Sequence, residues 1–173
     1  RVDANQGYTS ENLVQFAKGT AAENVEFIEQ PLPIDKDGDM MQVSEKIRVQ
    51  CAADESLHHP ADGEHLAAEP HKFGIYNIKL MKSGGIYPAL EIANTAHLSG
   101  IDLMWGCMDE SRISISAALH AALACPATTY LDLDGSLDLA RDLVTGGFVL
   151  TDGYLSVSDA HGLGVKLIEK VTV

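Results

Sequence analysis

The sequence predicts an α/β fold in which parallel strands and helices build a (β/α)-type (TIM-type) barrel. Strand-like and helix-like segments alternate about six times along the 173 residues with short connections, and this alternation favours parallel strands joined by right-handed crossovers. Polar residues also follow the predicted strands at steps of 25 to 28 residues, at Asp3, Glu29, Asp54, Lys79, Cys107 and Asp132. Each step is one strand–helix unit, so these residues share one end of the sheet, where barrel enzymes keep their active sites.

The predicted strands are short apolar runs that end in polar or turn residues. They fall at residues 1–4, 25–28, 49–53, 75–80, 102–108 and 128–131. The run at 49–53 is almost continuously apolar, as is typical of a strand that is covered on both faces. The tail at 148–173 alternates short β-like runs with glycines.

The predicted helices lie between these strands, at about residues 10–22, 40–47, 61–69, 86–99, 112–124 and 136–143. Thr9 or Ser10 can cap the first helix. Pro70 ends the third, because the residue before a proline avoids the helical conformation. Pro88 lies in the first turn of the fourth, where its missing N–H costs nothing, and Gly100 can end that helix in a left-handed conformation.

Composition argues against two classes of binding partner and favours a cytoplasmic location. The net charge is −13, which argues against binding to nucleic acid or to an anionic membrane surface, since both require a basic face. No apolar run approaches the ~20 residues of a membrane span. Three cysteines cannot all pair, and reduced thiols in a cytoplasmic protein are the expectation. The chain begins without Met, so we expect it to be the second part of a longer chain.

Three carboxylates follow consecutive predicted strands at Asp3, Glu29 and Asp54. Clustered carboxylates repel one another unless a cation neutralises them. An all-oxygen set with room for water and substrate suits Mg²⁺, with Mn²⁺ as the second choice. Each residue taken alone would be an ordinary loop acid or helix cap, but the common register predicts a metal site.

Lys79 continues this series on the next strand. Beside a divalent cation, and away from bulk water, its pKa should be lowered, which favours the neutral amine as a general base. Lys82 lies three residues further on, out of the series, and is predicted to be a solvated bystander.

Asp132 and Asp134 follow the sixth predicted strand and should point the same way, because side chains alternate along extended backbone. Two carboxylates without a further cation suit the binding of a substrate ammonium; the alternative is an Asx turn before Gly135. Cys107 and Asp109, at the end of the fifth strand, are further candidates for contacting substrate. Asp109 either faces the pocket, where it would disfavour a glutamate side chain and favour a neutral or cationic one, or caps the following segment.

Four motifs resemble the enolase superfamily in its muconate lactonizing subgroup. They are Val2-Asp3-Ala-Asn5-Gln-Gly7, Phe27-Ile-Glu29-Gln-Pro31, Ala53-Asp54-Glu55-Ser56 and Asn77-Ile-Lys79-Leu-Met-Lys-Ser-Gly84-Gly85. The resemblance spans essentially the whole chain, and within the subgroup Asp132-Leu-Asp134 resembles the dipeptide epimerases, of the L-Ala-D/L-Glu kind. It implies that residues 1–173 are one domain, the C-terminal part of a (β/α)8-type barrel with strands 3 to 8 and the tail.

The resemblance also implies the chemistry. Asp3, Glu29 and Asp54 would bind Mg²⁺, Lys79 would be one of two acid/base lysines, and Asp132 and Asp134 would hold the ammonium of a dipeptide. The α-carbon would be epimerised by 1,1-proton transfer through an enediolate, as in the lysine- or histidine-based sites of this superfamily. A small dipeptide is the expected partner, and a homo-oligomer stays open.

Two features of the subgroup are missing from the sequence: a capping domain with the first two strands, and a Lys-x-Lys pair that carries the second lysine. We therefore expect a natural protein about twice as long.

Within the superfamily, the alternative is a muconate-type cycloisomerase or an o-succinylbenzoate synthase, although the substrates of neither have an ammonium for Asp132 and Asp134 to bind. Outside it, the alternative is a non-catalytic metal-binding module.

Overall fold

The computed structural model describes residues 1–168, so residues 169–173 of the predicted β-like tail lie outside the described part. Six strands form one sheet: β1 (Val2–Asp3), β2 (Ile28–Glu29), β3 (Cys51–Ala53), β4 (Ile75–Ile78), β5 (Asp102–Trp105) and β6 (Thr128–Leu131). Every strand pairs in parallel with its neighbour in the sequence, in the order β1-β2-β3-β4-β5-β6. This is the strand order of a barrel, and the prediction of a partial TIM-type barrel is confirmed.

The helices cover the outer face of the sheet. They are α1 (Ser10–Gly19), α2 (Glu45–Arg48), α3 (Pro60–Leu66), α4 (Leu80–Ser83), α5 (Ile86–Leu98) and α6 (Arg112–Ala124), together with a 3-10 helix at Ile34–Gln42. Apolar side chains from the helices and from the outward face of the strands form the main core, for example Leu13, Ile78, Ile92, Leu103 and Leu119. This burial supplies most of the driving force for folding. None of the helices described could cross a membrane.

The sheet is curled, and side chains join its two ends across the inner face. The rings of Phe27 and Tyr130 lie 4.9 Å apart between centroids. The Arg1 guanidinium lies 5.4 Å from each of these rings and donates a hydrogen bond of 2.9 Å to the carbonyl oxygen of Leu131. Residues before β2 and within β6 therefore contact each other although the strands are not neighbours in the sheet.

The tail adds two small antiparallel sheets. β8 (Phe148–Thr151) and β9 (Tyr154–Val157) form a hairpin, whose turn at Asp152 and Gly153 has positive φ at both residues, as a type I′ turn requires. β7 (Val144–Gly146) pairs with β10 (Val165–Leu167). Arg112 holds this tail to α6, because its guanidinium lies 3.8 Å from the Phe148 ring centroid and donates to the Phe148 and Gly146 carbonyls.

Several predicted elements need correction. The helix predicted at 136–143 is wrong: the segment is turn and bend, because Asp142 instead accepts hydrogen bonds from the Ser111 hydroxyl and the Arg112 N–H at the start of α6. The helix predicted at 40–47 is split between the 3-10 helix and α2, and the strand predicted at 25–28 pairs only from Ile28. The four-residue α4 was not predicted.

Candidate active site

The inner face of the sheet has an apolar layer and, two residues further along each strand, a polar layer. The apolar layer is a buried cluster of Phe27, Ala52, Ile75 and Met104 with Tyr130 packed against it. The residues two positions on are Glu29, Asp54, Asn77, Gly106 and Asp132. Side chains two residues apart point to the same face of a strand, so the polar layer lies at the carboxyl ends of the strands, where barrel folds place their chemistry.

A cavity of about 390 Å³ opens at this end of the sheet, and its lining includes Asp3, Glu29, Lys79, Cys107, Asp132 and Asp134. The structure thus brings together six of the eight predicted site residues. Asp54 lies beside the cavity through its contact with Lys79, whereas Asp109 is exposed and is not part of the lining. A larger cavity, of about 490 Å³, lies between α1 and α2 and contains no Asp or Glu side chain.

Two lysines share the carboxylate of Asp54. The Lys79 ammonium donates to Oδ2 of Asp54 at 2.7 Å and lies 3.9 Å from Oε1 of Glu29. The Lys82 ammonium pairs with Oδ1 of Asp54 and also donates to the backbone carbonyls of Asp54, at 2.5 Å, and Asn77, at 3.2 Å. The Lys82 side chain is only 6% exposed, so the prediction of a solvated bystander is wrong. The turn of α4 brings Lys82 back over the ends of β3 and β4.

These contacts determine the pKa values of Glu29, Asp54 and Lys79. Burial raises the pKa of Glu29 to about 7, and the negative charges of Asp54 and Asp3 act in the same direction. Burial would also raise the pKa of Asp54, but the Lys82 charge and the Lys79 hydrogen bond outweigh it, so that this pKa is lowered. Burial opposes the charged form of Lys79, yet the Asp54 hydrogen bond and charge prevail and the pKa of Lys79 is raised. In this arrangement carboxylates are the nearest charged neighbours of Lys79, and the lowered pKa expected beside a divalent cation stays a prediction.

The three carboxylates predicted to bind metal lie on adjacent strands, with Asp3 in register with Glu29. Their oxygen donors are of the type that Mg²⁺ prefers. Within residues 1–168, however, no three Asp, Glu, His or Cys side chains form a group that could hold a metal ion as they stand. Oδ1 of Asp3 accepts the N–H of Asn5 at 2.8 Å, and both oxygens of Asp54 contact lysines. The residues fit a divalent cation in type and in strand position, provided that these side chains turn.

Asp132 and Asp134 both line the cavity and are exposed, while Leu133 between them is buried. The predicted alternation is thus observed. Burial raises the pKa of Asp132, and the adjacent charge of Asp134 raises it further. A cation bound between the two carboxylates would remove this repulsion.

Cys107 lies in the wall beside this pair. Its Sγ accepts the Gly135 N–H at 3.3 Å and lies 3.9 Å from Oδ1 of Asp134. Burial raises the pKa of the Cys107 thiol to about 11, so the group is a neutral thiol rather than a nucleophilic thiolate.

Sequence reasoning missed Asn77 and Glu110. Asn77 is fully buried and donates to Oε1 of Glu29 at 2.6 Å; counting two residues back from Lys79 would have found it. Glu110 is buried and accepts the Met108 N–H at 2.8 Å. Glu110 has no periodic signal, because it lies beyond the end of β5.

Comparison with known proteins gives a family and close relatives. The family described as "Enolase C-terminal domain-like" matches residues 1–171. The chain is 58% identical over 165 residues to the L-Lys-D/L-Arg epimerase of Methylococcus capsulatus. The match covers 95% of this chain and 46% of that protein. It is 34% identical over 168 residues to the L-Ala-D/L-Glu epimerase of Clostridium acetobutylicum, covering 96% and 47%.

The solved structures that are similar to this chain include dipeptide epimerases as well. A dipeptide epimerase from Methylococcus capsulatus, complexed with Mg and the dipeptide L-Arg-D-Lys, superimposes with a TM-score of 0.93 at 57% identity, over 95% of this chain and 47% of that one. The chain therefore spans about half the length of the relatives that it matches.

Proposed function

Because this chain belongs to the enolase C-terminal domain-like family, we propose that the protein carrying it epimerises the α-carbon of a dipeptide. One observation carries the proposal: the Asp132 and Asp134 pair and the Lys79 ammonium line the same cavity. A dipeptide has an ammonium at one end and a carboxylate at the other, and this cavity offers a group of opposite charge for the first and a lysine near the second. Cycloisomerase substrates, which have no ammonium, would leave the aspartate pair unused.

The metal ligands in this proposal are Asp3, Glu29 and Asp54. Mg²⁺ held by them would act as a Lewis acid that withdraws negative charge from the substrate carboxylate and thereby makes the neighbouring α-proton more acidic. Mg is present in the structures of the similar epimerase, which supports Mg²⁺ ahead of Mn²⁺.

Lys79 accepts or returns the α-proton on one face of the α-carbon. Its Nζ must leave Oδ2 of Asp54 and lose its proton before it can accept one from carbon. Inversion also requires a proton donor on the opposite face, and the subgroup's second lysine would fill this role. Cys107 contributes shape to the wall beside the ammonium site, because its thiol is neutral.

The substrate we propose to test first is a cationic dipeptide. A relative with 58% identity is named L-Lys-D/L-Arg epimerase, and the cavity includes the carboxylates of Asp3, Glu29, Asp132 and Asp134. Asp109 is exposed near the end of β5, and we propose that it adds to the negative potential at the cavity mouth. A cytoplasmic location remains part of the proposal and is supported by three free cysteines.

The experiment is deuterium incorporation by the intact natural protein. L-Lys-L-Arg, L-Ala-L-Lys, L-Ala-L-Leu and L-Ala-L-Glu are incubated with it in D₂O and Mg²⁺, and mass spectrometry with chiral chromatography follows the α-position of the second residue. We expect exchange and epimerisation that are fastest for L-Lys-L-Arg. Exchange in none of the four would contradict epimerase activity and leave a non-catalytic metal-binding module as the better account. Preference for L-Ala-L-Glu would contradict the cationic substrate alone.

A further inference from the structure

The side-chain amide of Asn77 belongs to the polar layer, and the proposed chemistry does not use it. Asn77 lies in β4, two residues after Ile75 of the apolar layer and two residues before Lys79, and it borders the cavity. The residue is 0% exposed. A neutral amide buried in this way is stable only where its donors and its acceptor find partners.

Only the donor side of this amide has a partner. Nδ2 donates to Oε1 of Glu29 at 2.6 Å, and this contact orients the amide when Glu29 is ionised, because a carboxylate oxygen accepts and does not donate. Oδ1 has no hydrogen-bond partner among the described residues. A buried carbonyl oxygen without a donor costs free energy, so Asn77 holds an unused acceptor that is buried at the edge of the cavity.

Gly106 leaves the room that the Asn77 amide occupies. A Cβ atom at position 106 would lie 2.5 Å from Oδ1 of Asn77 and 3.0 Å from its Nδ2, closer than carbon atoms approach such atoms. Gly106 follows β5, the strand that separates β4 from β6. The Asn77 acceptor therefore lies between the carboxylate and lysine group at the ends of β2 to β4 and the aspartate pair after β6.

We propose that Oδ1 of Asn77 accepts a hydrogen bond from the peptide N–H of the bound dipeptide, an inference that rests on the proposed function. A dipeptide has one amide N–H, and it lies between the ammonium and the carboxylate. With the ammonium at Asp132 and Asp134 and the carboxylate near Lys79, that N–H falls between the two groups of residues, as Asn77 does. The amide of Asn77 then has two roles: its Oδ1 positions the peptide unit of the substrate, and its Nδ2 positions Glu29.

The test is a cycle that removes the donor from the substrate and the acceptor from the protein. The substrates are a dipeptide and its depsipeptide, in which an ester oxygen replaces the peptide N–H. The intact natural protein, its Asn77→Ala variant and the control Asn94→Ala, at an exposed position of α5, are assayed for kcat/KM by α-deuterium exchange. Intrinsic differences in reactivity between ester and amide cancel when the amide-to-ester ratio is compared between proteins.

We expect the amide-to-ester ratio to be about 10-fold higher in the unmodified protein and in Asn94→Ala than in Asn77→Ala, as one hydrogen bond implies. Equal ratios in all three proteins would overturn the inference. Gly106→Ala, which displaces the Asn77 amide, should lower the ratio as Asn77→Ala does. Should these variants fail to fold, calorimetry on the unmodified protein decides: the ester analogue must bind about 10-fold more weakly than the amide, and equal affinities would refute the role of Asn77.

The outcomes separate this inference from the proposed function. Turnover of amide and ester with the same ratio in every variant leaves the epimerase activity in place and removes only the role of Asn77. Turnover of no dipeptide by the unmodified protein contradicts the proposed function itself. In that case a calorimetric preference for amide over ester that is lost in Asn77→Ala would still identify Asn77 as a peptide-binding residue.

Discussion

Lys82 and Asp54 form a buried ion pair in which the ammonium also donates to the backbone carbonyls of Asp54 and Asn77. One side chain thus ties the carboxyl ends of β3 and β4 together. Because the same carboxylate pairs with Lys79, Lys82 keeps Asp54 neutralised on one side when Lys79 moves. The lysine that lies outside the 25-residue series is therefore a structural part of the site.

Replacing Lys82 with methionine should destabilise the protein. The change leaves a buried carboxylate half paired and two carbonyls without donors, and losing one partner of a buried pair costs about 3 kcal/mol or more. Urea unfolding measures the loss. Lys36→Met, the same change at an exposed position, should stay within about 0.5 kcal/mol of the unmodified protein. Equal stability of the two variants would show that the Lys82 contacts contribute nothing.

Removing the aspartate pair should separate substrate binding from folding. Asp132→Asn with Asp134→Asn deletes two charged acceptors for an ammonium, and each such hydrogen bond is worth about 1.5 to 3 kcal/mol. We expect dipeptide kcat/KM to fall at least about 100-fold while the melting temperature and Mg²⁺ affinity hold. The control is Asp35→Asn, at an exposed position in the 3-10 helix. Undiminished turnover by the double variant would rule out ammonium binding at this pair.

Glu29 should make the metal-free protein less stable as the pH rises. Its folded pKa of about 7 lies above the ordinary glutamate value of 4.5, so between these values the folded state binds more protons than the unfolded state. The free energy of unfolding therefore decreases with increasing pH. The full effect of this group is on the order of 3 kcal/mol. Denaturant titrations in EDTA from pH 4.5 to 8 measure it. Glu29→Gln should show a flatter profile, and a profile as steep as that of the unmodified protein would contradict the assignment.

Magnesium should stabilise the folded protein, because a ligand that binds only the folded state shifts the unfolding equilibrium. At 100 times its dissociation constant the gain is about 2.7 kcal/mol. Thermal melts with Mg²⁺ and with EDTA reveal it, and Asp54→Asn should abolish the difference. A melting temperature that responds equally to Mg²⁺ in both proteins would place the ion elsewhere.

The parts of the fold that could be predicted are those governed by local pattern. Helix α6 and strand β6 occur at their predicted bounds, 112–124 and 128–131. The first is an alanine-rich run and the second a run of β-branched and aromatic residues, which favour a helix and a strand respectively. The common end of the polar series followed from the repeat length, and the shared orientation of Asp132 and Asp134 from the two-residue period of extended backbone.

What could not be predicted depends on contacts between distant residues. The segment at 136–143 has a helical pattern, but Asp142 bonds to the start of α6 instead. The burial of Lys82 depends on a four-residue helix that has too few residues for a periodic signal. The pKa of Lys79 depends on which charge is nearest, and sequence spacing does not tell whether that is a carboxylate or a cation.

The contact between the rings of Phe27 and Tyr130, with the Arg1 guanidinium beside both, has a consequence for how the site could diversify. Phe27 precedes Glu29 by two residues, and Tyr130 precedes Asp132 by two, so the size of the two contacting rings affects the distance between the acid/base side of the cavity and the ammonium side. Across the inner face this distance is bridged by side chains, because β2 and β6 are not neighbours in the sheet. A smaller or larger ring at either position would change the length of substrate that fits between the two sides of the cavity. Every reacting group would stay the same.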